Sequence, residues 1–145
     1  MSIDAKAAAV EALKEGWGDS APPSPATEDE KTWGMLANVL GFFFIIGPVI
    51  AWFMKGDSKF VKFHALQMIL VNVVCFTVGI VLGVCFTVLA AVPMVGWAVV
   101  SIVSPLFSLA MLVLLVWLAI KAKGGSLYKL PSIGAFAYKT VYEAK

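Results

Sequence analysis

Two uninterrupted apolar runs set the pattern of the chain: Thr32 to Met54 holds 23 residues without a charge, and Phe63 to Ile120 holds 58. Neither run alternates apolar and polar positions, so neither resembles the strands of a lipid-facing barrel. Uncharged runs of about 18 residues or more read as membrane-crossing helices. The shorter run follows Thr27-Glu28-Asp29-Glu30, a capping box with Thr27 as N-cap and Glu30 reaching back. A first helix from Glu28 to about Met54 is predicted. It would be about 40 Å long, enough to cross a ~30 Å hydrocarbon core. Trp33 and Trp52 stand near its ends, where aromatic belts lie. Pro48, after Gly47, is expected to kink this helix. A re-entrant hairpin is set aside because 23 residues are too few for two crossings. The longer run would be roughly 87 Å as one helix and must fold back. The expected break is Val92-Pro93-Met94-Val95-Gly96. Predicted spans therefore lie at about 33–54, 65–91 and 97–120.

Between the runs, Gly56 suits a helix C′ position and Asp57 or Ser58 can cap the next helix. After the third span, Pro131 opens a short helix to about Glu143. Its apolar stripe of Ile133, Phe136, Ala137 and Val141 suits the membrane interface. Asp19 to Ala26, with Pro22, Pro23 and Pro25, reads as a polyproline-like linker. Met1 to Gly18 carries a weak stripe of Ile3, Ala7, Val10, Leu13 and Trp17. It would dock on a partner, lie on the bilayer or form a polar tail. Met1 to Gly16 has charges throughout and no apolar stretch, so no cleavable leader is expected. The expected fold class is an all-α integral membrane protein. It has three transmembrane helices, a short C-terminal interfacial helix and an N-terminal extramembrane arm. Residues 1–27 form the arm and linker, 28–122 the membrane domain and 123–145 the cytoplasmic tail.

Composition agrees. Of the 145 residues, 61% are apolar and 14% charged, against about 25% charged in an ordinary soluble domain. So few charges cannot cover a water-soluble surface of this size. All eleven basic residues are Lys and the net charge is +2. A site forking a phosphate would recruit Arg, so no nucleic-acid partner is expected. Met1 to Lys31 holds three Lys and seven acids. The first loop holds Lys55, Lys59 and Lys62 against Asp57, the second loop no charge, and the tail from Lys121 five Lys against Glu143. With three spans, the basic first loop and tail share the cytoplasmic side and the acidic N-terminus lies outside.

Candidate chemistry is sparse. Lys55, Lys59 and Lys62 are expected to reach anionic headgroups. His64 and Gln67, one turn apart, lie at the lipid interface. There His64 either titrates against a headgroup or hydrogen-bonds nearby backbone. Gly79 and Gly83 form a GxxxG in the second span, and Ser104 and Ser108 a small-xxx-small pair in the third. These faces are predicted to meet, within the protein or with a partner. Asn38 and Asn72 are the strongest polar groups inside spans and either bond between helices or line a polar path. Cys75 and Cys85 lie ten residues apart on one predicted helix and cannot pair with each other. No catalytic, metal or cofactor set is present in the pattern, so a non-enzyme is expected.

Lys55-Gly56-Asp57 followed by Phe60-Val61-Lys62-Phe63-His64-Ala65-Leu66-Gln67 resembles the "FVRFHAxQ" signature of small uncharacterised prokaryotic membrane proteins. Val92-Pro93-Met94-Val95-Gly96-Trp97 is similar to their "IPIIGW" turn. Ile120-Lys121-Ala122-Lys123-Gly124-Gly125 with Tyr128-Lys129-Leu130-Pro131-Ser132-Ile133-Gly134 resembles their "IKAYQGEKYKLPIIG" tail. That family is grouped with the twenty-kilodalton membrane subunit of the chloroplast inner-envelope translocon (Tic), a four-span protein associated with import. The resemblance implies a bacterial or archaeal cytoplasmic membrane. The expected function is a non-catalytic accessory or structural subunit packing against other membrane subunits, the alternative a Tic-like translocation or channel component.

Overall fold

The computed structural model describes residues 18–143. The stripe predicted over Met1 to Gly18 falls almost wholly outside them. A short strand β1 (Gly18–Ser20) leads through the Pro-rich linker to helix α1 (Glu28–Val39). The capping box forms as predicted: Thr27 Oγ1 accepts from the Glu30 amide, and Glu30 Oε2 accepts from the Thr27 amide at 2.8 Å.

α1 does not continue to Met54. It tightens into a 3₁₀ turn at Leu40–Phe43 and reverses at Phe44, whose φ is 61°. Helix α2 (Ile46–Met54) then runs back. Pro48 does not kink a continuous helix. It sits in the first turn of α2, where a missing N–H leaves no helical bond unmade. Gly47 is required at the reversal, because a Cβ there would collide with the Leu40 carbonyl. The two ends of this hairpin meet. Lys55 pairs with Asp29, and Ser58 Oγ donates to Glu30 Oε1 at 2.7 Å. The predicted continuous first helix is corrected: the run folds as a hairpin of two helices of 12 and 9 residues, each too short to cross a ~30 Å hydrocarbon core by itself.

Among the described residues, helix α3 (Lys59–Ala90), capped by Ser58, and helix α4 (Val95–Lys123) are the two helices long and apolar enough to span a membrane. They are joined at the predicted break, with Met94 at φ 67°. They run antiparallel, with Cys75 against Met111 and Val71 and Met68 clustered with Leu118. After Gly125, strand β2 (Leu127–Lys129) pairs antiparallel with β1, Asp19 opposite Tyr128. Helix α5 (Ile133–Tyr138) and one π-helical turn (Lys139–Glu143) close the described chain.

The packed core sits at one end. Ala37, Ala51, Val61 and Ala65 join the hairpin to α3, while Phe60, Phe63, Leu127 and Ala137 join α3 to the tail. Beyond about residue 72 on α3 and before about 117 on α4, most apolar side chains are exposed. The molecule is a compact base carrying a bare two-helix arm. The tail helix is part of that base. Ala137 is buried and Phe136 points outward, so the predicted interfacial stripe is divided. The β1–β2 pairing places residues 18–20 on the same face as the tail. The expectation of an external N-terminal arm opposite a cytoplasmic tail is corrected, because the strands could not pair across a membrane.

Candidate functional site: a buried polar clamp in the base

The first turns of α3 aim two polar side chains at the connection leaving α4. Nε2 of His64 lies 3.2 Å from the Ser126 carbonyl. A carbonyl only accepts, so Nε2 carries the proton. Nδ1 then accepts from Asn38 Nδ2 at 3.2 Å, and the same amide donates to the Gly34 carbonyl at 2.8 Å. The ring is neutral and uses both nitrogens. One turn on, Gln67 Nε2 donates to the Tyr128 carbonyl at 3.0 Å, and Gln67 Oε1 accepts from the Leu130 amide at 3.4 Å. Gln67 thus acts as a substitute peptide group for the chain at β2. Gly134 makes room for it, since a Cβ there would sit 2.7 Å from Gln67 Oε1. Phe60 and Phe63 pack edge-on against the His64 ring.

His64 and Gln67 have no exposed surface. Their expected place among lipid headgroups is corrected: both are enclosed by α1, β2 and α5 and bonded inside the fold. Lys55 is tied to Asp29 at the hairpin mouth. Lys59 lies 6.0 Å from the Tyr142 ring and Lys62 5.8 Å from the Trp52 ring, positions from which both amines reach the surface of the base.

Asn38 bonds between helices, as set out above. Asn72 does not: its amide donates to the Met68 carbonyl of its own helix. It borders an apolar cleft of about 300 Å³ with Gly41, Phe42, Cys75 and Phe107. The GxxxG and Ser faces do oppose each other, because Gly79, Gly83, Ser104 and Ser108 line one groove of about 190 Å³. They are not close-packed. No atom beyond the immediate backbone of α3 lies within 4 Å of a Cβ placed on Gly79 or Gly83, and Ser108 Oγ donates to the Ser104 carbonyl of its own helix.

Contacts absent from the sequence reading lie on the outer face of the base. Asp19 bonds both Lys121 and Ser126, and these partners hold its carboxyl below the usual carboxylate range. Tyr138 and Tyr142 stack 4.9 Å apart, with Lys129 over the first ring at 3.8 Å. Burial, then the neighbouring Tyr138 and Glu30, pushes the Tyr142 hydroxyl up to about 12. Their i, i+4 spacing was the available signal. A cavity of about 510 Å³ lies beside them, bordered by Glu30, Asp57 and Lys59. Among the described residues, no group of three His, Cys, Asp or Glu side chains is placed to hold a metal.

A profile of the magnetosome magnetite crystal formation protein family matches residues 29–137. The chain belongs to that family. The matched region holds nearly all of the hairpin, both long helices and the whole clamp, and leaves β1 outside. A UPF0132 membrane protein of Methanocaldococcus jannaschii is 33% identical over 109 residues, covering 75% of this chain and 86% of the relative. A second UPF0132 membrane protein of that organism is 28% identical over 109 residues, covering 75% and 68%. No solved structure matches. Membrane-protein relatives and two long apolar helices together make this a membrane protein.

Proposed function

We propose that this family member is a non-catalytic membrane subunit, with its base in the cytoplasm and its bare helices offered to a larger membrane assembly. One observation carries the reading: the α3–α4 arm keeps an open groove at Gly79, Gly83, Ser104 and Ser108, lined by small residues that no neighbouring side chain fills. Small residues along a groove let another helix approach closely in lipid. The clamp is an unpromising catalytic centre, because His64 and Gln67 are bonded to backbone or to Asn38. All charged residues fall outside the run from Phe63 to Ile120. The base therefore carries the lysines of the described residues, which supports a cytoplasmic base. The family description ties related proteins to magnetite crystal formation, whereas the archaeal relatives are described only as membrane proteins. A scaffolding role within a membrane is compatible with both.

The Tic-like alternative needs a polar path. Asn38 is held in the base by His64, and Asn72 borders an apolar cleft that Asn38 does not reach. Native mass determination after mild-detergent extraction tests the proposal. A co-purifying subunit lost in the Gly79→Ile, Gly83→Ile variant is expected. A lone monomer would overturn the reading. Ion flux in liposomes, abolished by Asn38→Leu with Asn72→Leu, would favour the alternative instead.

A further inference from the structure

The hairpin and the long helices divide unequally between the two leaflets. Trp97 and Trp117 lie twenty residues apart on α4, about 30 Å along a helix, which matches the hydrocarbon thickness. The middle of that stretch is Phe107, which shares a groove with Gly79 of α3. The hairpin tip reaches close to this level without passing it: Phe42 borders the cleft that includes Phe107, and Phe44 packs on Phe76, ring centroids 5.6 Å apart. Residue 76 is on the base side of Gly79. The tip is also lipid-facing, with Phe42 74% and Phe43 66% exposed.

Gly41 lies against Met68, which clusters with Leu118 beside Trp117, so on this frame the hairpin enters the base-side leaflet from about Gly41 and adds two chain segments that the far leaflet lacks. At ~10–12 Å per helix diameter, the extra pair adds on the order of 200 Å² of cross-section to one leaflet alone. A body wider in one leaflet is accommodated with least lipid strain where that leaflet is convex, and one-sided insertions are curvature-sensitive for this reason. We propose that the protein partitions into bilayers curved convex toward its base, with the Phe42–Phe44 tip as the wedge. This rests on the re-entrant, two-span reading of the fold.

The full chain, with Cys75→Ser and Cys85→Ser and a dye on Ser24→Cys, is reconstituted into giant vesicles from which narrow tubes are pulled. A membrane-impermeant quencher in the bath separates base-outward from base-inward molecules. Base-outward protein is expected at a tube-to-vesicle density ratio above one, and base-inward protein below one. The Phe42→Asn, Phe43→Asn variant should bring both ratios toward one. Equal partition of both orientations in the parent chain overturns the curvature inference. A dye on Gly56→Cys quenched from the side opposite to Ser24→Cys overturns the two-span reading beneath it. The two failures are therefore distinguishable even where the Phe variant does not fold.

Discussion

At the residue scale, the turn of α3 that carries His64 and Gln67 holds the tail to the long helices. Gln67 satisfies one carbonyl and one amide of the β2 segment, and leaving such buried groups unpaired costs about 1–3 kcal/mol. Gln67→Leu should therefore lower the thermal unfolding midpoint in detergent and speed proteolysis between Leu127 and Glu143. Gln67→Glu should be worse. It keeps an acceptor for Leu130 but gives Tyr128 no donor and adds an enclosed charge. Wild-type stability in Gln67→Leu would remove the clamp from the account. The sequence made the His64–Gln67 spacing visible, along with the option that His64 bonds backbone. It did not reveal which backbone. Ser126 and Tyr128 lie 62 and 61 residues away, joined only when α3 and α4 fold together.

At the scale of elements, the starts and breaks that rest on local chemistry were legible: the Thr27 capping box, the Gly56 turn and the Val92–Gly96 reversal. The break between α1 and α2 was not. Its reversal is carried by Phe44 at positive φ, a residue with no turn preference, inside a run whose hydropathy does not change. Gly47 is the residue that permits it, so Gly47→Ala should destabilise by about 1–3 kcal/mol through forced backbone movement, measured by chemical unfolding in detergent. The β1–β2 ladder was equally hidden, because three residues on each side carry too little pattern. Its pH response follows from Asp19. Lys121 and Ser126 depress that carboxyl, so their support is complete above the ordinary carboxylate value of about 4 and is lost as pH falls through the depressed one. Amide protection in β1 and β2 should fall over that range and with added salt, since the pair is partly exposed. Asp19→Asn should abolish the dependence.

At the scale of the whole molecule, the lysine counts correctly grouped the first loop with the tail, but the number of crossings misplaced the arm. A 23-residue apolar run fits one crossing by length, and only its folded ends reveal the hairpin: Asp29 against Lys55 and Glu30 against Ser58. Hydropathy measures how apolar a segment is and carries no record of where it turns. Because β1 pairs with β2, every charged segment of the described chain lies on one face, and the uncharged turn at Val92–Gly96 lies at the far end of the arm. Such an arrangement is expected to insert with its base inside, since no lysine then has to cross. In cells carrying the Cys75→Ser, Cys85→Ser chain, Met94→Cys should react with an impermeant maleimide added outside. Ser24→Cys, Gly56→Cys and Lys139→Cys should react only after permeabilisation. Outside labelling of Ser24→Cys while Gly56→Cys stays protected would restore three spans. Outside labelling of all three base positions with Met94→Cys protected would keep two spans and reverse the orientation, which would make the lysine-rich face extracytoplasmic.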